Sequence, residues 1–261
     1  MEDSKFVKII DICSKQEDVK EEVHRNHDNN KWWPKEIIDY RKKLLIAGLS
    51  TRISYNMIDT YQKVIQEFNI YSYEQICTMD EETLKDIIRP LGLTKSRITY
   101  IKSMIGFIEK NEEIINELSN NELIELIAKE VNGASFKVGE CCTLYMRGYY
   151  CGVMPVDSGM KDIELPCMGF DYIKSAKGNK ILSDEISEIV KRNDFKKIIK
   201  ENGYEDLNIE NMNNPTWLIH LILIYYKRLY CNKHRIDDCE LNKQKLAKKR
   251  CKNEGEDIER W

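Results

Sequence analysis

Apolar residues in this chain fall mostly at helical spacing, and that periodicity limits the fold before any motif is considered. Met57, Ile58, Tyr61, Val64, Ile65 and Phe68 would line one face of a helix over about 54–68. Helix breakers are few, with 12 Gly and 5 Pro in 261 residues, so an all-α protein is expected. Hydrophobic residues at 42% and charged residues at 33% describe a globular chain long enough to bury a core.

Local punctuation places the remaining helices. Residues 1–30 read as a weak helix plus a linker, ending in His27-Asp28-Asn29-Asn30. Pro34 suits a first helical turn, so a helix from there to about Ala47 is predicted. Short helices follow near 73–78 and 81–88, the second capped by Asp80 and closed by Pro90. Leu91-Gly92-Leu93-Thr94 is a tight turn, and Thr94 would cap a helix to about Glu109. Helices over about 121–130 and 136–147 flank a turn at 132–135, and Gly148 ends the second. Beyond Asp157, helices are expected near 159–165, 184–192, 194–202 and 216–230.

A net charge of -3 and a pI near 6.0 argue against a protein that coats nucleic acid indiscriminately. They leave room for a local patch, and Lys243, Lys245, Lys248, Lys249, Arg250 and Lys252 make the tail basic. The charged start, Met1-Glu2-Asp3-Ser4-Lys5, lacks the apolar stretch of a secretory signal. With an odd count of 9 cysteines, this favours a reducing compartment, cytoplasmic or nuclear, over a disulfide scaffold. The apolar run from Trp217 to Tyr226 is too short to span a bilayer and reads as a core helix.

The stretch with the most chemistry is Val131-Asn132-Gly133-Ala134-Ser135-Phe136-Lys137-Val138-Gly139. A Gly-containing turn that opens a helix presents backbone N–H groups at the positive end of the helix dipole, which suits an anion such as phosphate. Gly133 supplies the positive φ such a turn requires. Lys137 sits near the helix start, where its charged form is disfavoured and a nucleophilic amine is favoured. Asp157 follows in Pro155-Val156-Asp157-Ser158-Gly159, beyond the helix's far end. Taken singly, each feature has an ordinary reading too: an α-turn-α, a solvated lysine, a helix-capping aspartate.

Three segments in register resemble the helix-hairpin-helix (HhH-GPD) DNA glycosylase superfamily, particularly its endonuclease III and 8-oxoguanine glycosylase branches. Ile88-Arg89-Pro90-Leu91-Gly92-Leu93-Thr94-Lys95-Ser96-Arg97 resembles "I-x-x-x-G-L-x-x-x-[KR]-A". Glu130 to Gly139 resembles the hairpin "L-P-G-V-G-x-K-T-A", and Pro155-Val156-Asp157 the "x-V-D-T/V-H" segment. The hairpin departs at Asn132 for Pro and at Ser135 for the second Gly, and Gly159 stands where the family often has His.

The resemblance implies a two-lobed helical fold, with residues 49–156 as a six-helix barrel and residues 1–48 plus 157–261 as a second lobe. The damaged base would enter a cleft between the lobes. It implies double-stranded DNA as partner to a monomer, and a base-excision glycosylase with AP lyase activity on an oxidised base. Lys137 would attack the sugar C1′, and Asp157 would stabilise the cationic sugar and deprotonate the lysine. Asn132, Gly133 and Ser135 would contact phosphate, and Arg52 would fill the gap left by the extruded base. Cys141 would pack against that base, unless it is simply a small core residue. No cofactor is expected: Cys231, Cys239 and Cys251 resemble the family's iron–sulfur loop, but a fourth thiolate is missing, with His234 as a conceivable substitute. A monofunctional glycosylase, or a non-catalytic hairpin protein that binds DNA, stays open.

Overall fold

A computed structural model describes residues 1–157, 159–171, 175, 177–233, 235 and 237–247, apart from the side chains of 162 and 163. The described residues form helices and turns with no strand. In chain order the helices are α1 (Asp3–Ser14), α2 (Glu17–His27), α3 (Tyr40–Leu49), α4 (Ile58–Ile70), α5 (Tyr73–Thr78), α6 (Glu81–Ile88) and α7 (Thr94–Asn111). They continue with α8 (Asn120–Glu130), α9 (Phe136–Arg147), α10 (Leu165–Met168), α11 (Gly178–Arg192), α12 (Lys196–Glu201), α13 (Thr216–Tyr226) and α14 (Glu240–Lys243). Wider π-helical turns cover Met160–Glu164 and Lys227–Cys231. No helix among the described residues is long and apolar enough to cross a membrane.

Packing divides the chain into two compact units, one of Asn29–Pro155 and one of Met1–Asp28 with the residues from Val156 onward. The boundary expected at residue 49 thus falls earlier, because α3 packs on α7 and α9. Within this unit α8 also lies against α9. A Cβ on Gly139 would come 2.8 Å from the Ile124 carbonyl, so the missing side chain lets α9 approach the α8 backbone closely. Capping follows composition: Asp80 accepts from the Thr83 N–H at 3.0 Å, and Ser72 with Gln75, like Ser119 with Glu122, forms a reciprocal capping box.

In the other unit every residue of α13 is buried, and the helix packs on α1 and α2. Phe6 meets Phe170 and Phe195 edge-on, with ring centroids 5.8 and 6.4 Å apart. Asn202 Nδ2 donates to Ser14 Oγ at 2.7 Å, and the Tyr204 hydroxyl to the Ser14 carbonyl at 2.8 Å. Arg192 forks onto both carboxylate oxygens of Asp3 at 2.5 and 2.6 Å, which holds the Asp3 carboxyl down at about 2.

Two local expectations are corrected. Residues 1–30 form two full helices, because Phe6, Ile9, Ile10, Val19 and Val23 find a core to enter. The helix expected from Pro34 begins at Tyr40, where the Asp39 side chain accepts from the Arg41 N–H at 2.9 Å. Pro34 and Ile37 are instead buried in an irregular segment.

Candidate nucleic-acid interface and active site

The turn between α8 and α9 exposes Asn132, Gly133 and Ser135. Gly133 has φ +84°, a left-handed conformation that glycine adopts without steric cost. The turn is tied from both sides: Ala134 N–H donates to the Val131 carbonyl at 3.0 Å, and Asn132 N–H to Ser103 Oγ on α7 at 2.9 Å. Ser135 precedes the first residue of α9 in an extended conformation and makes no capping bond with its side chain. The first N–H groups of α9 therefore open beside an exposed turn, the geometry that accepts an anion.

Lys137 lies in the first turn of α9 and is half-buried. Cys141 follows one helical turn later. Desolvation pushes its thiol up to about 11, against the opposing pull of the nearby Lys137 charge. The lysine and cysteine thus share a face of α9. Glu140, fully buried on the same helix, is also within electrostatic reach of Cys141 and gave no sign of itself in the sequence pattern.

Arg52 is exposed in the turn after α3, with φ +55°. That turn is held by a residue the motif comparison left without a role. Arg97, only 5% exposed, donates to the carbonyls of Leu49 at 2.7 Å, Thr51 at 3.2 Å and Gly92 at 2.9 Å. One planar guanidinium thereby binds the Arg52 turn to the Gly92 turn. Tyr100, one turn further along α7, donates its hydroxyl to the Leu44 carbonyl at 2.7 Å. With Ser103 contacting the hairpin, α7 supports both DNA-facing candidates from one side.

Asp157 belongs to the other unit, where it is half-buried. Its carbonyl accepts from the Lys161 N–H at 3.0 Å, so the residue leads directly into the π-helical turn Met160–Glu164. Glu164 at the end of that turn is fully buried, and desolvation raises its carboxyl well above the usual range against the opposing charge of Lys227. Burial in turn lowers the Lys227 amine. Neither residue stood out in the sequence, since their proximity comes from segments far apart in the chain.

Of the cysteines compared with an iron–sulfur loop, Cys231 is half-buried and Cys239 is buried with its sulfur 3.2 Å from the Tyr226 hydroxyl. Cys251 and His234 lie outside the described residues, as do Lys248, Lys249, Arg250 and Lys252 of the basic tail. Among the described residues no group of three or more His, Cys, Asp or Glu side chains is gathered for a metal ion. Lys243 in the described part of the tail pairs with Glu240 at 2.8 Å.

Residues 49–164 match the model of the HhH-GPD superfamily base excision DNA repair proteins, a span that holds the Arg52 turn, the hairpin, Lys137 and Asp157. A Methanocaldococcus jannaschii protein named as a DNA repair glycosylase is 22% identical over 230 residues, covering 85% of this chain and 90% of its own length. The structure of the Helicobacter pylori 3-methyladenine DNA glycosylase, solved with 1,N6-ethenoadenine, superposes with a TM-score of 0.54 at 16% identity, covering 87% of this chain and 98% of that one. The motif order, the helical fold and the family match agree in likening residues 49–164 to the HhH-GPD superfamily of base excision DNA repair proteins.

Proposed function

We propose that this DNA repair glycosylase of the HhH-GPD family is bifunctional, excising an oxidised base through Lys137 and then nicking the strand. The observation that carries the reading is the half-buried Lys137 in the first turn of α9, directly after the exposed Gly133 turn. A duplex phosphate seated on that turn brings the adjoining sugar toward the amine.

The chemistry then runs in two stages. The neutral Lys137 Nζ attacks C1′ of the sugar, and the base departs with the electron pair of the glycosidic bond. Asp157 offsets the positive charge that grows on the sugar and takes up the proton released by the amine. Ring opening yields a Schiff base between Nζ and C1′. Loss of a C2′ proton then expels the 3′ phosphate by β-elimination, and hydrolysis frees the lysine. Arg52 fills the stack where the nucleotide has left, and Cys141 meets the extruded base. Asn132, Gly133 and Ser135 hold the backbone.

A monofunctional enzyme is the second reading. The ethenoadenine seen with the Helicobacter pylori glycosylase of the same fold favours an alkylated base for it. Lys137 would then contact only phosphate, and water would attack C1′.

Borohydride trapping separates the two. Duplexes bearing 8-oxoguanine, thymine glycol, ethenoadenine or an abasic site are mixed with the protein and reduced. A covalent band that vanishes in Lys137→Gln is the expected result. Base release without a band or a nick, retained in Lys137→Gln, would establish the monofunctional reading instead.

A further inference from the structure

Gly159 stands two residues beyond Asp157, at the position where the resembled motif often carries a histidine. The place of its missing side chain is not empty. A Cβ built on Gly159 would overlap Nζ and Cε of Lys227 and lie 3.4 Å from its Cδ. Gly159 has φ -67° and ψ -28°, which any residue adopts, so the glycine serves space rather than backbone conformation.

Lys227 arrives there from the C-terminal end of α13, the most buried helix of its unit. Lys227 as a whole is half-buried, with its Nζ packed against Gly159. Within electrostatic reach of it is the carboxylate of Glu164, fully buried and with no hydrogen-bond partner among the described residues. The charge of Lys227 is the one that opposes the cost of burying that carboxylate. No hydrogen bond joins the two, so charge attraction alone draws the lysine toward this carboxylate, and its N–H donors are not used on it.

We propose that Lys227 is a DNA-phosphate ligand beside the Asp157 segment, delivered from α13 into the side-chain place vacated at Gly159 and positioned there by Glu164. An ammonium is a compact point charge with no bidentate fork, which suits a phosphate oxygen better than a base edge. The close packing against Gly159 and the attraction of Glu164 limit where that charge can stand. The proposal rests on the DNA-glycosylase reading but not on the lysine chemistry at Lys137.

The test is the salt dependence of binding by the full chain to a duplex carrying a tetrahydrofuran abasic analogue, which cannot be cleaved through a Schiff base. Each phosphate contact contributes about 0.9 to the slope of log affinity against log salt. Lys227→Met is expected to weaken binding about tenfold at ~0.1 M salt and to lower that slope by about one. Because this variant leaves Glu164 buried without its counter-charge, Lys227→Met with Glu164→Gln is measured beside it and should show the same change in slope. Gly159→Ala keeps the charge but displaces it, and is expected to weaken binding several-fold. An unchanged slope in both lysine variants would assign Lys227 to a structural ion pair and overturn the proposal. No binding by the native chain would overturn the DNA reading as well. Binding without borohydride trapping would remove only the lyase mechanism.

Discussion

Arg97 shows how much a single side chain can organise here. Its guanidinium satisfies carbonyls from two turns that the chain approaches from opposite ends, and burial lowers its pKa without a carboxylate to offset it. Arg97→Met would leave the buried Leu49 carbonyl unpaired, at a cost of about 1–3 kcal/mol in unfolding experiments. Arg97→Lys keeps the charge but cannot span both turns. It is expected to reduce fluorescence of 2-aminopurine beside a lesion, which reports base extrusion, more than it reduces DNA affinity. Equal losses in both would show that the turn carrying Arg52 needs no such support. Asp3 offers a separate check through acid titration. Its carboxyl is held at about 2, against an ordinary 3.8. The stabilisation is therefore complete above pH 3.8 and is lost as pH falls through about 2. Unfolding midpoints followed over that window should fall more steeply for the native chain than for Asp3→Asn.

At the scale of elements, what is local in the sequence is what could be read from it. The bounds expected for α5, α6 and α9 coincide with those observed, because Ser72, Asp80 and Gly148 act on backbone only a few residues away. The start of α3 was misplaced because Pro34 fits a first turn equally well as it fits a packed loop, and burial decided between them. Thr94 is the first residue of α7 rather than its cap; Leu93 takes that place at φ +51°. Gly139 is a further example of an element-level constraint. Gly139→Ala would press a methyl group onto the Ile124 carbonyl and Cα and part α8 from α9. We expect a loss of about 1–3 kcal/mol, read as a fall in Tm of about 3–10 °C, with weaker DNA binding because the hairpin turn shifts with α9.

For the whole molecule, the candidate site was legible only in part. Lys137 and Gly133 declare themselves through one short motif, and Asp157 through its order after it. Arg97 falls at the basic position of the Gly92 motif, but its bonds to the Arg52 turn, like the approach of Lys227 to Gly159, join distant segments that no spacing encodes. The net charge of -3 likewise hides local arrangement, since cations count for DNA only where they stand together.

One consequence follows from the way the units are threaded. Residues 29–155 form a unit from a single uninterrupted stretch, whereas α1 and α2 pack on α13, which is made much later. During synthesis the central unit can close by itself while Phe6, Ile9, Ile10 and Val23 wait without their core. At about 5–20 residues per second, that wait lasts on the order of ten to forty seconds. α1 and α2 thus leave the ribosome with these few apolar side chains uncovered and become native only when α13 reaches them. Chaperone dependence in vivo should therefore follow the first helices of this protein, not its hairpin.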